Sequence, residues 1–108
     1  MIRKHFPGLI RELPEFDGPF DAYRLAAPGC DVLFASYPAG TSIPPHTHET
    51  TNTGVITQGA LILTMNGTET RYGVGEWYRV DAGVEHAARF DEDTSEIEFW
   101  FDQARTPP

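Results

Sequence analysis

Glycine and proline interrupt this chain so often that no long helix can form. Ten Gly and nine Pro occur in 108 residues. A proline inside a helix removes a hydrogen bond and clashes with the preceding turn. Between the interruptions lie runs rich in β-branched and aromatic residues, repeating at roughly 8–12 residues. Residues 32–37, 53–57, 60–65, 68–72, 76–80, 86–90 and 96–101 read as strands. Asn66-Gly67 between two of them is a strong hairpin signal, because both positions of the tight turn need positive φ. Short strands separated by such turns build an all-β sandwich or barrel. Residues 1–29, dense in Pro and Gly, read as an irregular N-terminal arm with one short strand at 20–25 that must dock on its own barrel or on a partner. Residues 30–104 read as the barrel domain and residues 105–108 as a loose tail.

The composition fits one soluble globular domain, with 40% apolar and 22% charged residues. A net charge of −8 argues against nucleic acid and against anionic membranes, since both need a basic face. The single cysteine, Cys30, excludes an intramolecular disulfide and a cysteine-rich zinc module. The basic start is followed by Pro7, Arg11, Glu12 and Pro14 rather than by an apolar run. It is therefore not read as a signal peptide, and a cytoplasmic protein is expected.

The histidines carry the chemistry. His46 and His48 stand two apart, and His86 lies forty residues beyond His46. In a strand, residues i and i+2 share a face, so His46 and His48 are expected side by side. A sheet folded back on itself brings His86 opposite them. Imidazole suits Zn, Fe, Ni and Mn, and three such ligands leave positions open for water or substrate. His5, in the arm, receives no role.

Two glycine-framed motifs surround these residues. Gly40, five residues, His46-Thr47-His48, three residues, Asn52, six residues, Gly59 is the first. The second is Gly75, five residues, Asp81-Ala82-Gly83, two residues, His86, three residues, Phe90. Together they resemble the two motifs of the cupin superfamily across residues 40–90. Three positions depart: Asn52 stands where the family has Glu, Asp81 where it has Pro, and Phe90 where it has Asn. The resemblance implies a small antiparallel jelly-roll barrel with one divalent transition metal (Fe, Zn, Ni or Mn) held by His46, His48 and His86. It also implies that Asn52 is a weak fourth ligand or is replaced by water.

Asn52 is neutral, so a divalent ion here keeps its full charge and favours an anionic oxygenated ligand such as a carboxylate, an enolate or a 2-oxo acid. Among cupins, three-histidine iron enzymes that cleave diketones or oxidise thiols lack the Glu, and uronate-processing ones carry an amide near this place. Glu49 has the wrong strand parity to replace it. Alternation puts His86, Ala88 and Phe90 on one inward face and Asn52, Gly54 and Ile56 on another. It also puts Ile97, Phe99 and Phe101 toward the core, with Glu98 and Trp100 outward, Trp100 meeting a partner subunit. Tyr37, Ile56, Ala88, Phe90, Phe99 and Phe101 are thus the expected pocket residues. Arg89 has outward parity.

Three functions fit: a metalloenzyme on a small oxygenated molecule (dioxygenase or lyase/isomerase), a small-molecule or sugar binding module, or a metal-free structural barrel. The enzyme reading is favoured, with a small-molecule ligand, no nucleic acid, no membrane and a homodimer as the expected assembly. Fold alone does not decide among them.

Overall fold

The strand runs assemble into two antiparallel sheets packed face to face. The computed structural model describes residues 5–102. The strands are β1 (Asp21–Ala27), β2 (Cys30–Tyr37), β3 (Thr41–His46), β4 (Thr51–Gln58), β5 (Ala60–Met65), β6 (Thr68–Gly73), β7 (Trp77–Val80), β8 (His86–Phe90) and β9 (Thr94–Phe101). One sheet has the order β1-β2-β9-β4-β7 and the other β3-β8-β5-β6. All the pairings are antiparallel. The β5–β6 hairpin turns at Asn66 and Gly67, with φ of 51° and 74°, as the two-residue turn requires.

The core lies between the sheets. Leu33, Ala35 and Tyr37 of β2, Ile56 of β4 and Tyr78 and Val80 of β7 meet Leu61 and Leu63 of β5 and Phe90 of β8. Fully burying a side chain of this size stabilises by about 1.5–3 kcal/mol, so this cluster is the main driving force for closing the two sheets together.

The N-terminal arm is more ordered than its composition suggests. Residues 8–11 form a single helical turn, α1 (Gly8–Arg11), started by Pro7, whose fixed φ suits a helix start. Phe6 is buried, with its ring edge-on to Phe34 at 5.8 Å. The expected short strand is the seven-residue β1, paired along β2. The tail at 105–108 lies outside the described residues.

Two strand readings need correction. Strand geometry is expected over residues 46–49, but β3 runs over Thr41–His46, with Pro44 and Pro45 inside it, and ends before His48. It is an edge strand of its sheet, where a missing N–H donor costs no ladder bond. On β9 the facing is the reverse of the expectation. Glu96, Glu98 and Trp100 line the interior, while Ile97, Phe99 and Phe101 lie on the outer face. There Phe99 stacks on Trp77 at 6.0 Å. Register partners in a sheet point to the same side, and Glu96 and Glu98 oppose the buried Ala35 and Leu33 of β2. Apolar character alone points the row of Ile97, Phe99 and Phe101 inward. The outer face of this sheet is itself apolar, with Val32, Phe34 and Val55 alongside.

Candidate metal centre

Two of the histidines are placed by strand ends and the third by a loop. His46 closes β3 and is the register partner of His86, which opens β8. A register shift between Ile43 and His46 lets two strand ends present their side chains toward one point. His48 lies beyond β3, so its position does not come from the i, i+2 geometry of a continuous strand. The loop is held instead by the Gly83 N–H, which donates to His48 O at 2.9 Å. Gly83 has φ +81°, a conformation open to glycine at little cost. The ring of Trp100 then packs against His48 at 4.8 Å between centroids.

The three rings converge. Their centroids are 4.2 Å apart for His46–His86, 4.7 Å for His48–His86 and 5.6 Å for His46–His48. One ring nitrogen from each lies within 4.8 Å of the others.

The hydrogen bonds settle which nitrogens these are. Nδ1 of His46 meets Pro44 O at 2.9 Å, Nδ1 of His48 meets Thr50 O at 3.0 Å, and Nδ1 of His86 meets Val84 O at 2.9 Å. A carbonyl only accepts, so each Nδ1 carries a hydrogen, and in the neutral ring Nε2 keeps the lone pair. Yet Nε2 of His48 and Nε2 of His86 are 3.1 Å apart. Two lone pairs at that distance repel unless a proton or a metal ion lies between them. Nitrogens bound to one first-row ion at about 2.0–2.1 Å sit roughly 3 Å apart. The donor set therefore fits a metal, and the carbonyls fix the tautomers as outer-shell partners do. Burial lowers the basicity of His86, the bond to Val84 O raises it, and the charges of His46 and His48 lower it further. The net shift is downward, toward the neutral form a ligand needs.

A cavity of about 360 Å³ opens beside the histidines, within the range of small-ligand sites. His46, His86, Asn52, Tyr37, Ala88 and Phe90 line it. The Asn52 Nδ2 donates to Phe99 O at 3.4 Å. Ile56 is 1% exposed and packs in the core rather than on the cavity wall. Phe99 and Phe101, expected in the pocket, are on the far side of the sheet, because the parity of β9 is reversed. Trp100, expected at a subunit contact, is on the cavity wall instead. Glu49 is exposed, and Arg89 pairs on the surface with Glu69 at 2.7 Å.

The sequence reading missed the acidic floor. Glu96 and Glu98 are 3% and 1% exposed, and both line the cavity. Tyr37 Oη donates to Glu98 Oε2 at 2.6 Å, Trp100 Nε1 donates to Glu98 Oε1 at 3.0 Å, and Tyr78 Oη donates to Glu96 Oε1 at 3.1 Å. One signal could have found it. Tyr37 and Tyr78 occupy inward positions where Phe would pack as well, and a buried phenol needs an acceptor.

The Cupin domain family model matches residues 33–101. KdgF from Halomonas sp. superimposes with a TM-score of 0.75 at 21% identity, over 86% of this chain and 91% of that one. An RmlC-like cupin from Shewanella frigidimarina gives 0.75 at 15% identity, over 85% and 86%. A variant of salicylate 1,2-dioxygenase from Pseudoaminobacter salicylatoxidans gives 0.67 at 19% identity, over 74% of this chain and 25% of that one. Likeness at these identities shows shared fold. Among curated proteins, none matches the sequence.

Proposed function

This chain belongs to the cupin domain family, and from that premise we propose that it is a metal-dependent enzyme acting on a small oxygenated molecule. The observation that carries this reading is the convergence of three imidazoles, one ring nitrogen of each within 4.8 Å of the others, beside a cavity of ligand size. His46, His48 and His86 would hold a divalent transition ion, with Asn52 a neutral neighbour on the cavity wall. Such an ion supplies a Lewis acid that polarises a carbonyl or carboxylate oxygen.

The rest of the wall orients the ligand. Tyr37, Ala88 and Phe90 give an apolar surface that excludes water. Neutral ligands leave the ion's charge uncompensated, so the anionic end of a carboxylate, diketone or sugar acid belongs at the histidines. The carboxyl groups of Glu96 and Glu98 line the same cavity, which favours proton-moving lyase or isomerase chemistry over oxygen chemistry. The runner-up reading, a binding module without turnover, shares the cavity and the ion.

We place the protein in the cytoplasm as a homodimer. Among the described residues no helix is long and apolar enough to cross a membrane. The outer face around Phe99, with Trp77 57% exposed, is the surface that supports pairing with a second copy.

The test is elemental analysis of protein purified without a metal-chelating tag, followed by a thermal-shift screen of carboxylates, diketones and uronic acids. Near-stoichiometric metal and a shift that disappears with chelator are expected. Metal-free protein that refuses added zinc, iron, nickel and manganese would overturn the proposal. Turnover of a stabilising compound separates enzyme from binder.

A further inference from the structure

The floor of the cavity holds two carboxyl groups whose surroundings differ. Glu98 accepts from two donors, Tyr37 Oη at 2.6 Å and Trp100 Nε1 at 3.0 Å. Glu96 accepts from one, Tyr78 Oη at 3.1 Å. Its second oxygen, Oε2, is buried and accepts from no donor among the described residues. Donors stabilise the ionised form of a carboxyl, and burial without them disfavours it. Two carboxylates buried side by side repel strongly, so the pair is stable with one proton between them.

The proton therefore belongs on Glu96, at the oxygen that lacks a donor. Burial first, then the charge of Glu98 and its hydrogen bond, push the Glu96 carboxyl well above its ordinary range, while the bond from Tyr78 acts the other way. The other groups facing the pair do not supply a positive charge. Tyr37 and Tyr78 are held neutral by burial and by the nearby glutamates. Leu61, Leu63 and Phe90, from the opposite sheet, are apolar. The imidazoles of His46 and His86 line the same cavity.

We propose that the Glu96–Glu98 pair, with the Glu96 proton directed at Glu98, is a second polar subsite of this cavity that accepts a hydrogen bond from an uncharged hydroxyl of the ligand. Glu98 is the ionised partner that keeps the proton on Glu96. The assignment deepens the reading above and rests on it in one respect, that the cavity takes an oxygenated ligand. It adds a polarity to that ligand: a carboxylate at the histidine end and a hydroxyl at the floor. A second anionic group would meet the negative charge of the pair, so hydroxy acids and sugar acids fit and dicarboxylates do not.

Infrared difference spectroscopy on the full chain tests this. Wild type minus Glu96→Gln at neutral pH should show the carbonyl stretch of a protonated carboxyl. The amide introduced by that substitution keeps an acceptor for Tyr78 and a donor toward Glu98, so the fold should survive. In Glu98→Gln the same band should vanish at lower pH than in wild type, because the neighbouring charge is gone. Adding D-glucuronate to the zinc-loaded protein should move the band to lower frequency, and glutarate should not.

Absence of the band in wild type overturns the proposal. So does glucuronate that binds without moving it, or that does not bind. If Glu98→Gln fails to fold, the presence of the wild-type band and its response to glucuronate still decide. If zinc does not bind, the metal reading falls, while the band of the metal-free protein still judges the acid pair.

Discussion

The histidines and the glutamates face one cavity but are held in different ways. Each histidine Nδ1 is tied to a backbone carbonyl two residues away, at Pro44, Thr50 and Val84. The glutamates of β9 are tied instead to other strands of their own sheet, Glu98 to Tyr37 of β2 sixty-one residues away and Glu96 to Tyr78 of β7 eighteen away. His46 and His48 are half-buried, whereas Glu96 and Glu98 have almost no exposure. The histidine end is thus oriented by its own short segments and is open to exchange with solvent. The floor is assembled by pairing strands within one sheet, and covering by the second sheet sets its electrostatics in a dry interior where an unpaired charge is costly. One end is suited to recruiting an ion, the other to holding a proton.

The largest effect should come from removing a histidine. His48→Ala should lose its metal by elemental analysis while its far-ultraviolet circular dichroism is unchanged, because the ring lies outside the strands. Retention of wild-type metal content would mean that the open end does not depend on convergence of the three rings.

Crowding the floor should instead damage the fold. A Cβ at Gly54 would lie 2.6 Å from Tyr78 Oη and 2.8 Å from Ile97 O. Gly54→Ala should destabilise by about 1–3 kcal/mol in urea unfolding and displace the tyrosine from Glu96. A neutral outcome would show that the floor is looser than the distances imply.

The two tyrosines should differ. Tyr37 donates to the glutamate assigned the charge, and a hydrogen bond to a charged group is worth about 1.5–3 kcal/mol, against roughly 0.5–1.5 kcal/mol for a neutral pair. Tyr37→Phe should therefore cost more than Tyr78→Phe in the same unfolding assay. The reverse order would put the charge on Glu96.

The pH dependence has a definite sign. The Glu96 carboxyl is raised in the folded state, chiefly by burial. Its contribution to stability is then fully present below about pH 4.5, its ordinary value, and is lost as pH climbs through the raised one. Wild type should lose melting temperature relative to Glu96→Gln as pH rises above that point. Parallel curves would remove Glu96 as the proton holder.

The smallest effect is expected at the wall between the two ends. Asn52→Glu adds a carboxylate near the histidines and should tighten zinc binding modestly in a competition titration with a chelator. It should also weaken glucuronate binding, because the ion's charge is then partly neutralised. Unchanged affinity for both would place Asn52 too far from the ion to matter.

Much of the histidine end was legible because its information is local. His46, His48 and His86 sit in fixed spacing to glycines such as Gly83, whose positive φ marks an obligatory turn. The β5–β6 hairpin was legible for the same reason at Asn66-Gly67. β3 was hidden because Pro44 and Pro45 argue against a strand, and only the sheet order shows that it lies on an edge.

Period-two alternation in residues 96–101 fixed which side chains share a face, and that pairing is intact in the structure. It could not say which face is inside. Apolar content pointed to Ile97, Phe99 and Phe101, and the two tyrosines, each in need of an acceptor, pointed the other way. The closed barrel chose the other face, because Tyr37, Trp100 and Tyr78 supply donors that make buried glutamates tolerable there. The chain alone determined strand and turn within a few residues, and the histidine set through two glycine-framed motifs whose meeting needs β3 to pair with β8. Only the assembled five-stranded sheet, covered by the second one, decided that an acid pair bonded to tyrosines of two other strands lies beneath the histidines.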